Sequence, residues 1–149
     1  MYLNTGEILE GYGHEVSYFS QKSDKMMPNE FNKYWPEEYS FRNSSLTSKV
    51  VNSKKFLFNR EAYKKMVEFL RIVKPDIAHI HLYMGGLSSS ILVALKRLNI
   101  PIVHTAHDYR LICPAYTLFD KNNKVCELCR DGNFARCASK RCSWEGKIS

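Results

Sequence analysis

Between Lys74 and Pro114 the chain sets two short apolar runs on either side of one striped helix, and that order leaves few folds open. After Lys74-Pro75 comes Asp-Ile-Ala-His-Ile-His-Leu, then a Tyr-Met-Gly-Gly turn, then the helix, then Ile-Pro-Ile-Val-His-Thr-Ala-His-Asp-Tyr. Leu87, Ile91, Leu92, Leu95 and Leu98 fall on one side of a 3.6-residue repeat, so that side must be buried. Two apolar runs joined by such a helix predict a βαβ unit with parallel strands. Ligands of parallel sheets bind beyond the carboxyl ends of the strands. His81 stands at the first of those ends, and His107 with Asp108 at the second. The helix is expected to start just beyond Gly85-Gly86 with Ser88 or Ser89 as its cap, aiming free N–H groups at an anion or a sugar hydroxyl. Asn99 suits a left-handed closing position.

The flanking chain is read around this unit. Residues 1–13 form the end of a helix closed by Gly11 and Gly13, and His14–Ser20, with Val16, Tyr18 and Phe19, reads as a strand. Residues 21–45 form a polar excursion docked by Phe31, Tyr34, Trp35, Tyr39 and Phe41; it exceeds the usual connection length. A weakly helical segment from Leu46 leads to Asn59, the expected N-cap of a helix that buries Tyr63, Met66, Val67, Leu70 and Val73 and stops at Pro75.

A chain of 149 residues with 44% hydrophobic content can build one domain with a core. It contains no apolar run of about 18 residues to span a bilayer. Its first residues have neither the basic nor the apolar region of a secretory signal, so a cytoplasmic site is expected. The net charge is +7, and residues 110–149 carry eight Lys/Arg against four Asp/Glu. Such a surface favours polyanions, anionic lipid headgroups or phosphorylated ligands; interspersed charges equally fit a solvated face.

Four of the five cysteines, Cys126, Cys129, Cys137 and Cys142, are spaced C-x2-C-x7-C-x4-C. The first pair has the spacing of a zinc knuckle, which makes a structural zinc ion the candidate metal. Incidental reduced thiols and, less favoured in a cytosolic protein, disulfides are the other readings. Cys113, beside Pro114, reads as a small packing residue. His79 and His81 share one face of their run, whereas His104 and His107 lie on opposite faces of theirs. Neither H-x-H-x-D nor H-E-x-x-H is present, which removes the motif-based case for a metallohydrolase. His79 and His104 read as hydrogen-bonded core histidines, and His107-Asp108 as a titratable functional pair.

Gly13-His14-Glu15-Val16, Pro75-Asp76-Ile77-Ala78-His79-Ile80-His81, Gly85-Gly86-Leu87-Ser88, Ile100-Pro101-Ile102-Val103 and above all His107-Asp108-Tyr109-Arg110-Leu111-Ile112-Cys113-Pro114 resemble, in this order, the N-terminal domain of family-four (group one) glycosyltransferases. The resemblance runs across nearly the whole chain. It implies an α/β fold: a Rossmann-like parallel sheet flanked by helices, one GT-B half with its first strand missing, and a Cys-rich C-terminal extension. Residues 1–149 would be a single partial acceptor-side domain, with residues 120–149 as the Cys-rich tail.

The activity implied is that of a retaining hexosyltransferase in polysaccharide biosynthesis that needs no cofactor for catalysis. A nucleotide-sugar donor would be held by a second domain, and the acceptor would be a glycan or a lipid-linked glycan. The site would be cytoplasmic, with a peripheral membrane surface at the inner face as a further partner. His107 matches the family's histidine near the transferred sugar, so His107 and Asp108 are the candidate catalytic residues. His81, Gly85, Gly86, Tyr109 and Arg110 are the candidate substrate-binding ones. The competing classes are a basic zinc-knuckle module and a non-catalytic truncated scaffold. Nucleic acid is disfavoured as a partner because the aromatics are dispersed and do not interleave with Lys/Arg.

Overall fold

A computed structural model describes residues 2–23, 30–38, 55–140 and 142. The chain forms two compact units, Met1–Thr105 and Ala106–Ser149.

The first unit is built on the expected βαβ element. Strand β1 (Ala78–Ile80) pairs in parallel with β2 (Ile102–His104), in the register Ala78↔Ile102, His79↔Val103 and Ile80↔His104. Helix α1 covers Tyr2–Gly11, α2 covers Arg60–Val73 and α3, the crossover, covers Ser90–Arg97. The parallel arrangement is as read from the sequence, although each strand is shorter than its apolar run.

Packing of α2 on α3 supplies the core. Ala62, Met66, Phe69 and Leu70 from α2 meet Ile91, Ala94 and Leu95 from α3, with Ile80 and Tyr83 beside them. Ala62 and Ala94 are 0% exposed, small side chains that let two helices approach closely. Phe69 anchors distant chain: its ring stands 5.3 Å from Phe19 and 5.4 Å from Phe31, the latter edge-on. The excursion is thus docked by rings where it is described, with a 3-10 turn at Asn32–Tyr34 and Trp35 buried. Tyr39, Phe41 and the segment from Leu46 to residue 54 lie outside the described residues.

Two expectations fail here. His14–Ser20 is not a strand. Its polar backbone is engaged sideways: the Trp35 indole donates to the Tyr18 carbonyl at 3.1 Å, and the Lys22 N–H to the Pro36 carbonyl at 3.0 Å. A strand needs a neighbouring strand to pair with, and β1 pairs with β2. α3 also starts later than just beyond Gly85-Gly86, at Ser90, with Ser88, one of the two expected caps, at its start. Ser89 makes no side-chain cap bond, because its backbone is already helical at φ −64° and ψ −8°. Ser88 acts in its place, accepting from the Ser90 N–H at 3.2 Å. Asn99 closes the helix in the left-handed region at φ 56°, as expected.

The second unit contains a hairpin-like turn and one short helix, α4 (Ala135–Lys140). Asp120 Oδ1 accepts the N–H groups of Asn122 and Lys124, closing the turn between Phe119 and Val125, which form an antiparallel bridge. No helix among the described residues is long and apolar enough to cross a membrane.

Candidate active site

The parallel strands place His81 just past β1, and its ring lies 4.4 Å from that of His79. His79 and His81 do share a face. Neither His79 nor His104 is a core residue, however: both are exposed. His79 Nε2 lies 2.7 Å from Thr105 Oγ1, and His104 meets the Tyr83 ring edge-on at 5.6 Å. His79 lies on the face of β1 opposite the buried Ile80, and His104, although in register with Ile80, stands on β2, which is exposed throughout. β2 is exposed throughout and ends at His104, so strand alternation does not extend to His107.

The Gly85-Gly86 turn is held by Asn59, the N-cap of α2. Asn59 Oδ1 accepts from the Ala62 N–H at 3.1 Å, its Nδ2 donates to the Gly86 carbonyl at 2.9 Å, and its own N–H donates to Ser88 Oγ at 2.9 Å. Ser88 sits at φ 58°, a conformation that costs an L-residue about 1–2 kcal/mol, and the hydrogen bonds to its side chain offset that cost. Gly85 needs its lack of a Cβ, at φ 104°. At Gly86 a Cβ would collide with the Gln21 side-chain amide. The expected row of free N–H groups is not what the turn presents. Three residues separate Gly86 from the start of α3 at Ser90, the Ser88 N–H goes to the Tyr83 carbonyl at 2.9 Å, and the Ser90 N–H to Ser88 Oγ.

An open groove of about 530 Å³ runs along α3 and β2, lined by Tyr83, Leu92, Lys96, Ile100, Ile102 and His104. It takes in none of His81, Gly85 or Gly86. Sequence reasoning missed it, because its lining joins Leu92 and Lys96 of α3 to Tyr83 and to the chain from Ile100 to His104, segments that meet only in the fold.

In the second unit, His107 and Asp108 open a tight turn. Asp108 is gripped by Arg110: Oδ1 accepts the Arg110 N–H at 2.9 Å, and Oδ2 accepts Nε at 3.1 Å and Nη2 at 2.9 Å. The Arg110 backbone N–H, and after it the guanidinium, hold the Asp108 carboxyl below the usual aspartate range. Asp108 is therefore a fixed anion and Arg110 a committed cation, which also lies over the Tyr116 ring at 5.6 Å. Tyr109, exposed, accepts the N–H of Cys113 at its carbonyl at 2.7 Å. The arrangement presents His107 on a braced turn and makes Arg110 a brace first.

All five cysteines are free thiols within this unit. Cys113, Cys129, Cys137 and Cys142 are buried together and Cys126 is half-buried. Burial pushes the Cys129 thiol up, with neighbouring Cys113 adding to it, and burial with the Cys137 thiol pushes Cys142 up to about 11. Among the described residues no three His, Cys, Asp or Glu side chains already stand at ligand geometry around one point.

Parallel strands joined by a crossover helix make the first unit an α/β element. The sequence profile of Glycosyltransferase Family 4 matches residues 3–124, and the chain belongs to that family. It is also similar to an uncharacterized 42.6 kDa protein in the cps region of Klebsiella pneumoniae, 29% identical over 94 residues, which cover 63% of this chain and 24% of that relative. The matched segment thus spans about a quarter of the relative's length. No solved structure matches the chain.

Proposed function

We propose that this chain is the acceptor-side half of a GT-B retaining glycosyltransferase that moves a hexose-like sugar from a nucleotide-sugar to a glycan or lipid-linked acceptor in the cytoplasm, at or near the inner membrane face. The family match over residues 3–124 carries the reading. The length of the relative supports a second domain that would hold the donor. In this reading His107 touches the reacting sugar, and Asp108 fixes its surroundings as a permanent anion. Tyr109 is a substrate-binding candidate on the same turn, Arg110 acts through Asp108, and His81, Gly85 and Gly86 are the substrate-binding candidates of the first unit. Retention calls for front-face attack, with the leaving phosphate stabilised by preorganised donors of the other domain. No cofactor takes part in the chemistry.

The test compares the 149-residue chain with the full-length protein across common radiolabelled nucleotide-sugars. The full-length protein should transfer sugar with the anomeric configuration kept, and the isolated chain should stay at background. An inverted product, or robust turnover by the isolated chain, would overturn this reading.

A further inference from the structure

The end of α4 draws two cysteines together. The Cys142 N–H reaches back five residues to the Cys137 carbonyl at 3.3 Å. Among the described residues no other backbone hydrogen bond joins two cysteines: the N–H groups of Cys113, Cys126 and Cys137 go to the carbonyls of Tyr109, Leu118 and Phe134. A bond of this reach is the one that closes a Schellman helix end, where the side chains of the two bonded residues often pack on each other across the last turn. Bond lengths then hold the two Cα atoms within about 7 Å, against the span of roughly 4–7 Å that disulfides bridge. Both side chains are buried in the same cluster, Cys137 at 4% and Cys142 at 9% exposure.

We propose that Cys137 and Cys142 are a redox pair, free thiols in this structure and closed to a disulfide by a low-molecular-weight disulfide such as oxidised glutathione. The thiolate of one cysteine attacks the small disulfide and expels a small thiolate. The thiolate of the other then attacks the protein sulfur of the mixed disulfide and expels the second. The two protein thiols together lose two electrons and two protons, and one small disulfide becomes two small thiols. In the cytoplasm proposed above such a bond would be transient and would report on redox state.

Burial, with the Cys137 thiol beside it, pushes the Cys142 thiol up to about 11, so it stays protonated near neutrality and closure is slow there. The bond would act on α4. Six residues make a helix too short to hold by itself, and a link across its end removes conformations in which the last turn is open.

The fully reduced chain, equilibrated with oxidised and reduced glutathione in mildly alkaline buffer, is acid-quenched, alkylated and digested with trypsin under denaturing conditions. Trypsin cuts after Arg136, Lys140 and Arg141, so the peptide from Cys137 to Lys140 stays with the peptide that begins at Cys142 only through a disulfide. That joined pair should appear under oxidised glutathione, vanish with excess dithiothreitol and leave Cys113, Cys126 and Cys129 alkylated. Its initial rate of formation should rise roughly tenfold per pH unit above neutrality, and exchange of the Cys142 amide should slow severalfold in the oxidised chain. Alkylation of Cys142 in every glutathione buffer, or Cys137 joined instead to Cys113, Cys126 or Cys129, overturns the pair. So does a zinc ion that shields both thiols until a chelator removes it. An unchanged Cys142 amide overturns the hold on α4.

Discussion

Asn59 Nδ2 donates to the Gly86 carbonyl at 2.9 Å, so the residue that caps α2 also closes the turn between β1 and α3. One fully buried side chain, 0% exposed, serves two elements nearly thirty residues apart in sequence. Asn59→Ala should remove a cap worth about 1 kcal/mol and orphan buried partners for about 1–3 kcal/mol more. Asn59→Ser keeps a cap oxygen and loses the donor to Gly86 without adding a charge, so its loss in urea unfolding should be distinctly smaller. Equal losses would mean that the cap contributes nothing, and wild-type stability in the second variant that the link to Gly86 contributes nothing.

Asp108 gives a pH dependence with a definite sign. Its folded carboxyl titrates below the ordinary aspartate value of about 3.9. The contribution is therefore fully present above that value and is lost as pH falls through the lowered folded pKa. Carboxyl NMR titration should show this low midpoint. Because the backbone N–H of Arg110 is the leading cause, Arg110→Ala should raise the midpoint only part of the way. A full return to the ordinary value would assign the effect to the guanidinium.

In the full-length enzyme, His107→Ala should lower kcat/KM by roughly 10²- to 10⁴-fold if the ring contacts the transition state. His79→Ala should be mild in both activity and thermal stability, since His79 is exposed and its recorded side-chain hydrogen bond is to Thr105. Parallel, equal losses of activity and of melting temperature in the two variants would remove His107 from the chemistry.

Leu95 is 1% exposed between α2 and α3, and Ile102 on β2 is 39% exposed. Leu95→Ala should cost about 2–5 kcal/mol in denaturant unfolding, and Ile102→Ala less than about 1 kcal/mol. The reverse order would place the core on the sheet.

What the sequence made legible was periodic or local. The stripe from Met66 to Leu70 and that from Ile91 to Leu95 gave both core helices, and Asn59 and Asn99 gave their places at helix ends because those roles are decided within a few residues. Phe69 was left off the α2 stripe, and its value comes from Phe19 and Phe31, rings far away in the chain. The exposure of His79 and His104 was hidden for a similar reason: burial of a strand residue depends on what covers the sheet. Arg110 read as a substrate-binding candidate, and its pairing with Asp108 is a matter of turn geometry that the sequence does not spell out. The gathering of Cys113 with the tail thiols depends on tertiary turns that residue spacing does not encode.

The two-stranded sheet has a consequence for how the first unit opens. Strands of three residues with an exposed β2 provide little cooperative protection, whereas α2 and α3 carry the buried contacts. In deuterated water the amides of Thr105 and Ala78 should therefore exchange through small local openings, long before those of Leu70 and Leu95. The strand end of the unit would then breathe on a helical platform that stays closed, free to adjust without unfolding the platform.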